Sequence, residues 1–142
     1  MRFKSRKDWL FSIALLGSIL FLSGFSIFGV LFGWIEKTDY WILIPFTAIT
    51  AFLLWIYFGT TYELRNRELI YRSGPLRGRI KMDQIREIVK GKTSYVGLKP
   101  ATAGGGLIVK YGKYDEIYIS PDSNESFINE ILKINPEIVI SE

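Results

Sequence analysis

Hydrophobic and polar positions divide the chain near residue 62. Two runs, Trp9–Ile35 and Tyr40–Tyr62, carry no Asp, Glu, Lys or Arg, and only Glu36, Lys37, Thr38 and Asp39 separate them. As a helix the first run would extend about 40 Å, against roughly 30 Å of bilayer hydrocarbon, and the second fits that layer without excess. Both are expected to be transmembrane helices joined in a tight antiparallel hairpin. Pro45 falls in the second turn of the second helix, where losing one hydrogen bond is expected to bend its beginning. A basic leader before an apolar run also describes a secretory signal. This run, however, far exceeds the usual h-region of roughly 7–15 residues, and no Ala-x-Ala site follows it.

Beyond Tyr62 the pattern alternates with a period of two. Thr61–Arg65 and Glu68–Ser73 read as strands joined at Asn66-Arg67, where Asn tolerates the positive φ of a two-residue hairpin. Ser73-Gly74-Pro75 breaks the second. Arg77–Met82 supplies a third strand with Ile80 and Met82 on one face, and Ile85–Val89 follows a turn at Asp83-Gln84. Between Lys90 and Gly106 the composition is that of a flexible loop. Its Gly104-Gly105-Gly106 end lacks the Gly-Lys-Ser/Thr of a phosphate loop and precedes a strand rather than a helix, which disfavours a nucleotide site. Leu107–Tyr111 and Tyr114–Ser120 flank a short turn at Gly112-Lys113, with Ile117 and Ile119 facing the core. A final helix over about 122–134 has Asp122 as N-cap, Glu125 at N3, and an apolar face of Phe127, Ile128, Ile131 and Leu132; Asn135-Pro136 ends it.

The expected fold is therefore α+β: a two-helix transmembrane hairpin, then a small antiparallel β-barrel or sheet capped by a C-terminal helix. Its parts are a basic N-terminus (1–8), first span (9–35), external loop (36–39), second span (40–62) and soluble domain (63–142), with strands from about residue 60. In a chain of 142 residues little remains for an enzyme core, and Cys and His are both absent. That excludes disulfides, thiol nucleophiles, thiolate metal sites and the commonest general base. No catalytic, metal or cofactor site is expected, and the adjacent acids Asp115 and Glu116 would point to opposite faces of a strand. No ionisable residue lies inside either span, which argues against an ion pathway or proton relay.

Charge adds orientation. Arg2, Lys4, Arg6 and Lys7 precede the first span, Lys37 alone lies between the spans, and Arg65, Arg67, Arg72, Arg77, Arg79 and Lys81 follow the second. The positive-inside rule then places both termini and the domain in the cytoplasm of a multi-pass membrane protein. Trp34, Tyr40 and Trp41 form the outer aromatic belt; Trp9, Tyr57 and Tyr62 lie near the inner one. Within the domain, residues 63–92 are net basic and residues 93–142 net acidic. Arg65, Arg67, Arg77, Arg79 and Lys81 are the candidate contacts to anionic lipid. A net +4 for the whole chain, without an RNA-binding aromatic signature, gives no case for nucleic acid. Tyr111, Tyr114 and Tyr118 are candidate partner contacts, with Tyr95 considered beside them. Gly17, Gly24, Gly29 and Gly33 are candidate helix-packing positions, either against the chain's own second span or against a second copy or a partner's helix.

The landmarks Thr61-Tyr62-Glu63-Leu64, Leu69-Ile70-Tyr71-Arg72-Ser73-Gly74-Pro75, Ile80 and Ile85 around Asp83, Tyr111-Gly112-Lys113, Ile119-Ser120-Pro121 and Asn135-Pro136 occur in this order. Over residues 60–136 the chain resembles the bacterial pleckstrin-homology (PH)-like domains of the YyaB-like type, which often follow one or two membrane spans. The resemblance implies a binding or scaffolding module rather than an enzyme. Eukaryotic PH domains that bind phosphoinositides gather Lys and Arg around a long first-to-second-strand loop, and here that connection reads as Asn66-Arg67 alone. Within this bacterial group the resemblance also implies a specific alternative, bacteriocin immunity of the sublancin type.

Overall fold

The computed structural model describes residues 1–92 and 99–142. Strand β1 (Arg2–Lys4) is followed by helix α1 (Trp9–Leu31), a 3-10 turn over Lys37–Ile42 and helix α2 (Leu43–Gly59). Both helical segments are long and apolar enough to cross a membrane. Apart from Gly24, the less exposed positions of α1 recur at Ser12, Leu15, Ile19, Leu22, Ser26 and Gly29, alternating steps of three and four that give a helix one seam. Along it the Phe11 ring stacks on Tyr57, the Ser12 and Tyr57 hydroxyls are 2.8 Å apart, and Phe25 meets Phe46 at 6.1 Å. The remaining surface of the pair, including Leu16, Leu20, Phe21, Phe52 and Phe58, is exposed and apolar.

The hairpin is shorter than the apolar runs suggest. Helix α1 stops at Leu31 because Gly33 adopts φ +71° and donates to the Val30 carbonyl, while Ile35 N–H closes on Gly29 O at 2.9 Å. Helix α2 begins only at Leu43, so Pro45 falls in its first turn, not its second. There its missing N–H is among the four a helix leaves unpaired. Thr60 and Tyr62 lie outside the helix: the chain is extended at Thr60, and Tyr62 lies in a strand with no exposed surface.

Among the described residues eight strands form two sheets. The first runs β1-β2-β3-β4, with β2 (Thr61–Arg65), β3 (Glu68–Ser73) and β4 (Leu76–Lys81) all antiparallel; the second runs β7-β6-β5-β8, with β5 (Ile85–Lys90), β6 (Leu107–Tyr111), β7 (Asp115–Ile119) and β8 (Val139–Ser141). Asn66 and Arg67 both take positive φ, 51° and 59°, as a two-residue I′ hairpin requires. Gly74, at φ +55°, turns β3 into β4 against α2: a Cβ there would sit 2.8 Å from Ile56 Cγ1. Helix α3 (Asn124–Ile134) follows β7. Its N-cap is Ser123, which accepts from Ser126 N–H at 3.2 Å, one residue later than Asp122. Asp122 instead accepts from Ser123 N–H.

Alternation puts Tyr62, Leu64, Leu69, Tyr71 and Ile80 from the first sheet, and Ile88, Leu107, Val109, Ile117 and Ile119 from the second, into one buried cluster. Phe127, Ile128 and Ile131 of α3 close it, and Phe127 meets Phe3 edge-on at 5.2 Å. Two strands enlarge the expected domain. The first, β1, lies ahead of α1 and pairs with β2, so the helical hairpin is inserted between the first two strands. The second, β8, runs parallel to β5 and ends the chain's otherwise antiparallel pairing.

Candidate functional site

Successive strand residues face opposite sides, so the residues not used in the core share the outer face of the first sheet. Pairing sets them in rows: Lys4, Thr61, Arg72 and Arg77 nearest the helices; then Arg2, Glu63, Ile70 and Arg79; then Arg65, Glu68 and Lys81. Four of the five basic residues singled out in the sequence, Arg65, Arg77, Arg79 and Lys81, therefore come together and are exposed. Arg67 does not join them; it sits in the hairpin turn and pairs with Asp83 at 3.0 Å, both side chains well exposed. Arg2, Lys4 and Arg72 complete the basic face. The signal for the first two was the alternation Arg2-Phe3-Lys4-Ser5, with Phe3 and Ser5 buried between exposed cations.

Behind this face the N-terminal segment is bolted to the domain. Ser5 N–H donates to Thr60 O at 3.2 Å, Arg6 N–H to Ser120 O at 2.7 Å, and Asp122 N–H to Lys4 O at 2.9 Å. Tyr62 Oη, fully buried, accepts from Ser120 N–H at 3.1 Å, lies 3.1 Å from Ser5 Oγ and donates to the Pro100 carbonyl. Ser5 and Ser120 hydroxyls are 2.9 Å apart, and Thr102 Oγ1 lies within reach of Ser5 Oγ and Arg6 O. Burial pushes the Tyr62 phenol above its ordinary value, more than its hydrogen bonds with Ser120 and Ser5 lower it. The described part of the glycine-rich connection is thus not a flexible tether. Arg6 donates to Gly104 O and Gly105 O, Tyr118 Oη accepts from Gly106 N–H and donates to Ala103 O, and Asn124 Nδ2 donates to Gly105 O. A Cβ on Gly106 would lie 2.1 Å from Ile119 O, so only glycine fits.

The three tyrosines do not form one patch. Tyr118 is buried and spends its hydroxyl on that connection; Tyr111 is half-buried against the core, which pushes its phenol up; Tyr114 lies in the β6–β7 turn rather than in a strand and is 85% exposed. Tyr95 lies outside the described residues. The glycines also separate. Gly33 caps α1 and Gly29 makes room for Ile35, whose Cδ1 would be 2.6 Å from a Cβ there, whereas Cβ atoms on Gly17 and Gly24 would meet open space.

At the far edge Glu87 receives Lys110 Nζ at 2.8 Å and Ser141 Oγ at 2.5 Å. The Lys110 hydrogen bond, then that of Ser141, hold its carboxyl below the usual range. Ser141 belongs to β8, so this pair fastens a strand. Among the described residues no three carboxylates gather as a metal site would need.

Short antiparallel strands closed by a C-terminal helix are the arrangement expected of the PH-like resemblance, here divided into two sheets, and the family described as Bacterial PH domain matches residues 60–135. The chain belongs to that family. The uncharacterized protein YyaB of Bacillus subtilis (strain 168) is 22% identical over 141 residues, covering 99% of this chain and 97% of that protein. No solved structure matches the chain. Within this bacterial PH domain, β1 lies ahead of the matched region although it completes the first sheet; the similarity to YyaB extends across it and across both helices. In this chain's own strand order the first-to-second connection is the helical hairpin, and Asn66-Arg67 joins the second strand to the third.

Proposed function

We propose that the protein is a membrane-anchored, non-catalytic binding module at the cytoplasmic face of a bacterial membrane. The helices cross the bilayer and the PH-like domain rests with its basic sheet face toward the inner leaflet. One observation carries the reading: the helices are inserted between paired strands β1 and β2, so both return to the same domain. The cations of those strands surround the return point, against Lys37 alone at the other end. Anionic lipid attracts each Lys or Arg held near the surface by about 1 kcal/mol, enough for seven such residues to orient the domain against only Glu63 and Glu68 on that face. Immunity against a bacteriocin gains no support from YyaB, itself uncharacterized.

Single cysteines in a chain that has none make the test direct. In intact cells a cysteine at Thr38 reacts with a membrane-impermeant maleimide and one at Asn124 reacts only after permeabilisation. The reverse pattern would put the domain outside and end the proposal.

A further inference from the structure

Between the last turn of α2 and the segment around β1 lies a cavity of about 370 Å³, within the size range of small-molecule sites. Arg2, Lys4 and Lys7 line it together with Tyr57, Phe58 and Thr61. Strand alternation sends Arg2 and Lys4 to the same side, and Lys7 stands over two rings at once, its Nζ 4.3 Å from the centroids of both Tyr57 and Phe58. No carboxylate is among the lining residues. The nearest acid in the sheet register, Glu63 opposite Arg2, lines a smaller neighbouring cavity of about 50 Å³ with Arg72 and Ile70, and Arg2 and Thr61 border both cavities. One wall is therefore cationic and hydroxylated, and the other is the aromatic end of an apolar helix.

We propose that this cavity holds the phosphate headgroup of one anionic glycerophospholipid from the leaflet around the helices. Arg2, Lys4 and Lys7 surround the phosphate, Thr61 offers a hydroxyl donor, and Tyr57 and Phe58 receive the first methylenes of an acyl chain. The proposal rests on the membrane-anchored reading and adds a discrete site to it. Three cations around one anion need a ligand that brings charge, and a helix end at headgroup depth needs one with an apolar tail. A diffuse basic surface would need neither an aromatic wall nor a cavity.

The test uses the full chain in nonionic detergent, with native mass spectrometry after adding phosphatidylglycerol or phosphatidylcholine. One phosphatidylglycerol is expected to stay bound, preferred by roughly tenfold or more. The triple variant Arg2→Gln, Lys4→Gln, Lys7→Gln loses that preference, and a control of equal charge change at exposed cations of the second sheet, its β6–β7 turn and α3, Arg86→Gln, Lys113→Gln, Lys133→Gln, keeps it. Equal loss in both variants, absence of a preference, or displacement of the lipid by inorganic phosphate at comparable concentration would overturn the site. A measurement on the unaltered protein avoids any folding defect: an anionic lipid with a photoreactive group near its glycerol should label residues 57–61, and labelling confined to other segments refutes the assignment. Membranes washed with alkaline carbonate separate the two ideas. A chain that stays in them but shows no preference loses only the site; a chain that washes out loses the anchor and the site together.

Discussion

Tyr62 ends an uncharged run, yet its ring is fully buried in the domain and its hydroxyl joins four segments distant in sequence: Ser5, β2, Pro100 and Ser120. The phenol does what an apolar residue of the same shape could not. Tyr62→Phe keeps the packing but leaves Ser120 N–H and the Pro100 carbonyl without this partner, which costs about 1–3 kcal/mol for buried groups. For a domain of this size that lowers Tm by about 4–8 °C per kcal/mol, readable by thermal melting of the purified protein. A Tm unchanged within error would mean that the network carries no stability. The pH dependence has a definite sign. With its folded value raised above 10.0, Tyr62 contributes stability that is intact below pH 10 and is lost as pH rises further, and the Phe variant lacks that alkaline loss.

At the scale of elements, long alternating segments were legible and short ones were not. β2, β3 and β6 follow the period-two pattern and α3 its apolar face, while β5 is legible as a short apolar run whose alternation is broken by a register shift between Ile85 and Glu87. β8 has three residues, too few to show a period, and the brief alternation of β1 sits in a basic leader whose cations the positive-inside rule already accounts for. Helix ends shifted because a glycine at positive φ and a 3-10 turn stop an apolar helix as surely as a charge does. The basic face was partly visible for the same reason: of the three cations that complete it, Arg2 and Lys4 lie on the unseen strand, and Arg72 lies on β3. How β8 is held gives a prediction. Glu87 accepts from Ser141 and Lys110, and its folded pKa is depressed, so the stabilisation is present above its ordinary value of 4.5 and is lost as pH falls through the lower folded value. Hydrogen-exchange protection of Val139–Ser141 should drop in that acid range while β6 stays protected. Glu87→Gln should weaken that protection already at pH 7; a variant as protected as the unaltered protein would show that strand pairing alone retains β8.

The whole molecule is a domain interrupted by its own helical hairpin. Ser5 N–H donates to Thr60 O at 3.2 Å, so the chain leaves the sheet for α1 and returns from α2 at hydrogen-bonded neighbours. Two consequences follow from this closeness. Any displacement of one helix relative to the other pulls directly on the β1–β2 pair, so movement of the hairpin reaches the basic sheet without a flexible linker. The domain should also fold without the helices, provided both its pieces are present. Joining Met1–Lys7 to Thr60 through a short Gly/Ser bridge retains Phe3, Ser5 and Tyr62, whereas a fragment beginning at Glu63 loses all three. Burying Phe3 alone contributes about 1.5–3 kcal/mol, against about 5–15 kcal/mol for a typical whole domain, and the Tyr62 network adds to it. The cut also exposes the edge of β2, an invitation to aggregate. The bridged chain is therefore expected to be monomeric, with dispersed amide resonances and a single cooperative melt, and the Glu63–Glu142 fragment to be broad-melting or insoluble. Should that fragment melt as sharply and at the same temperature as the bridged chain, β1 would be an ornament on the sheet rather than part of it, and the helices would be an ordinary N-terminal anchor.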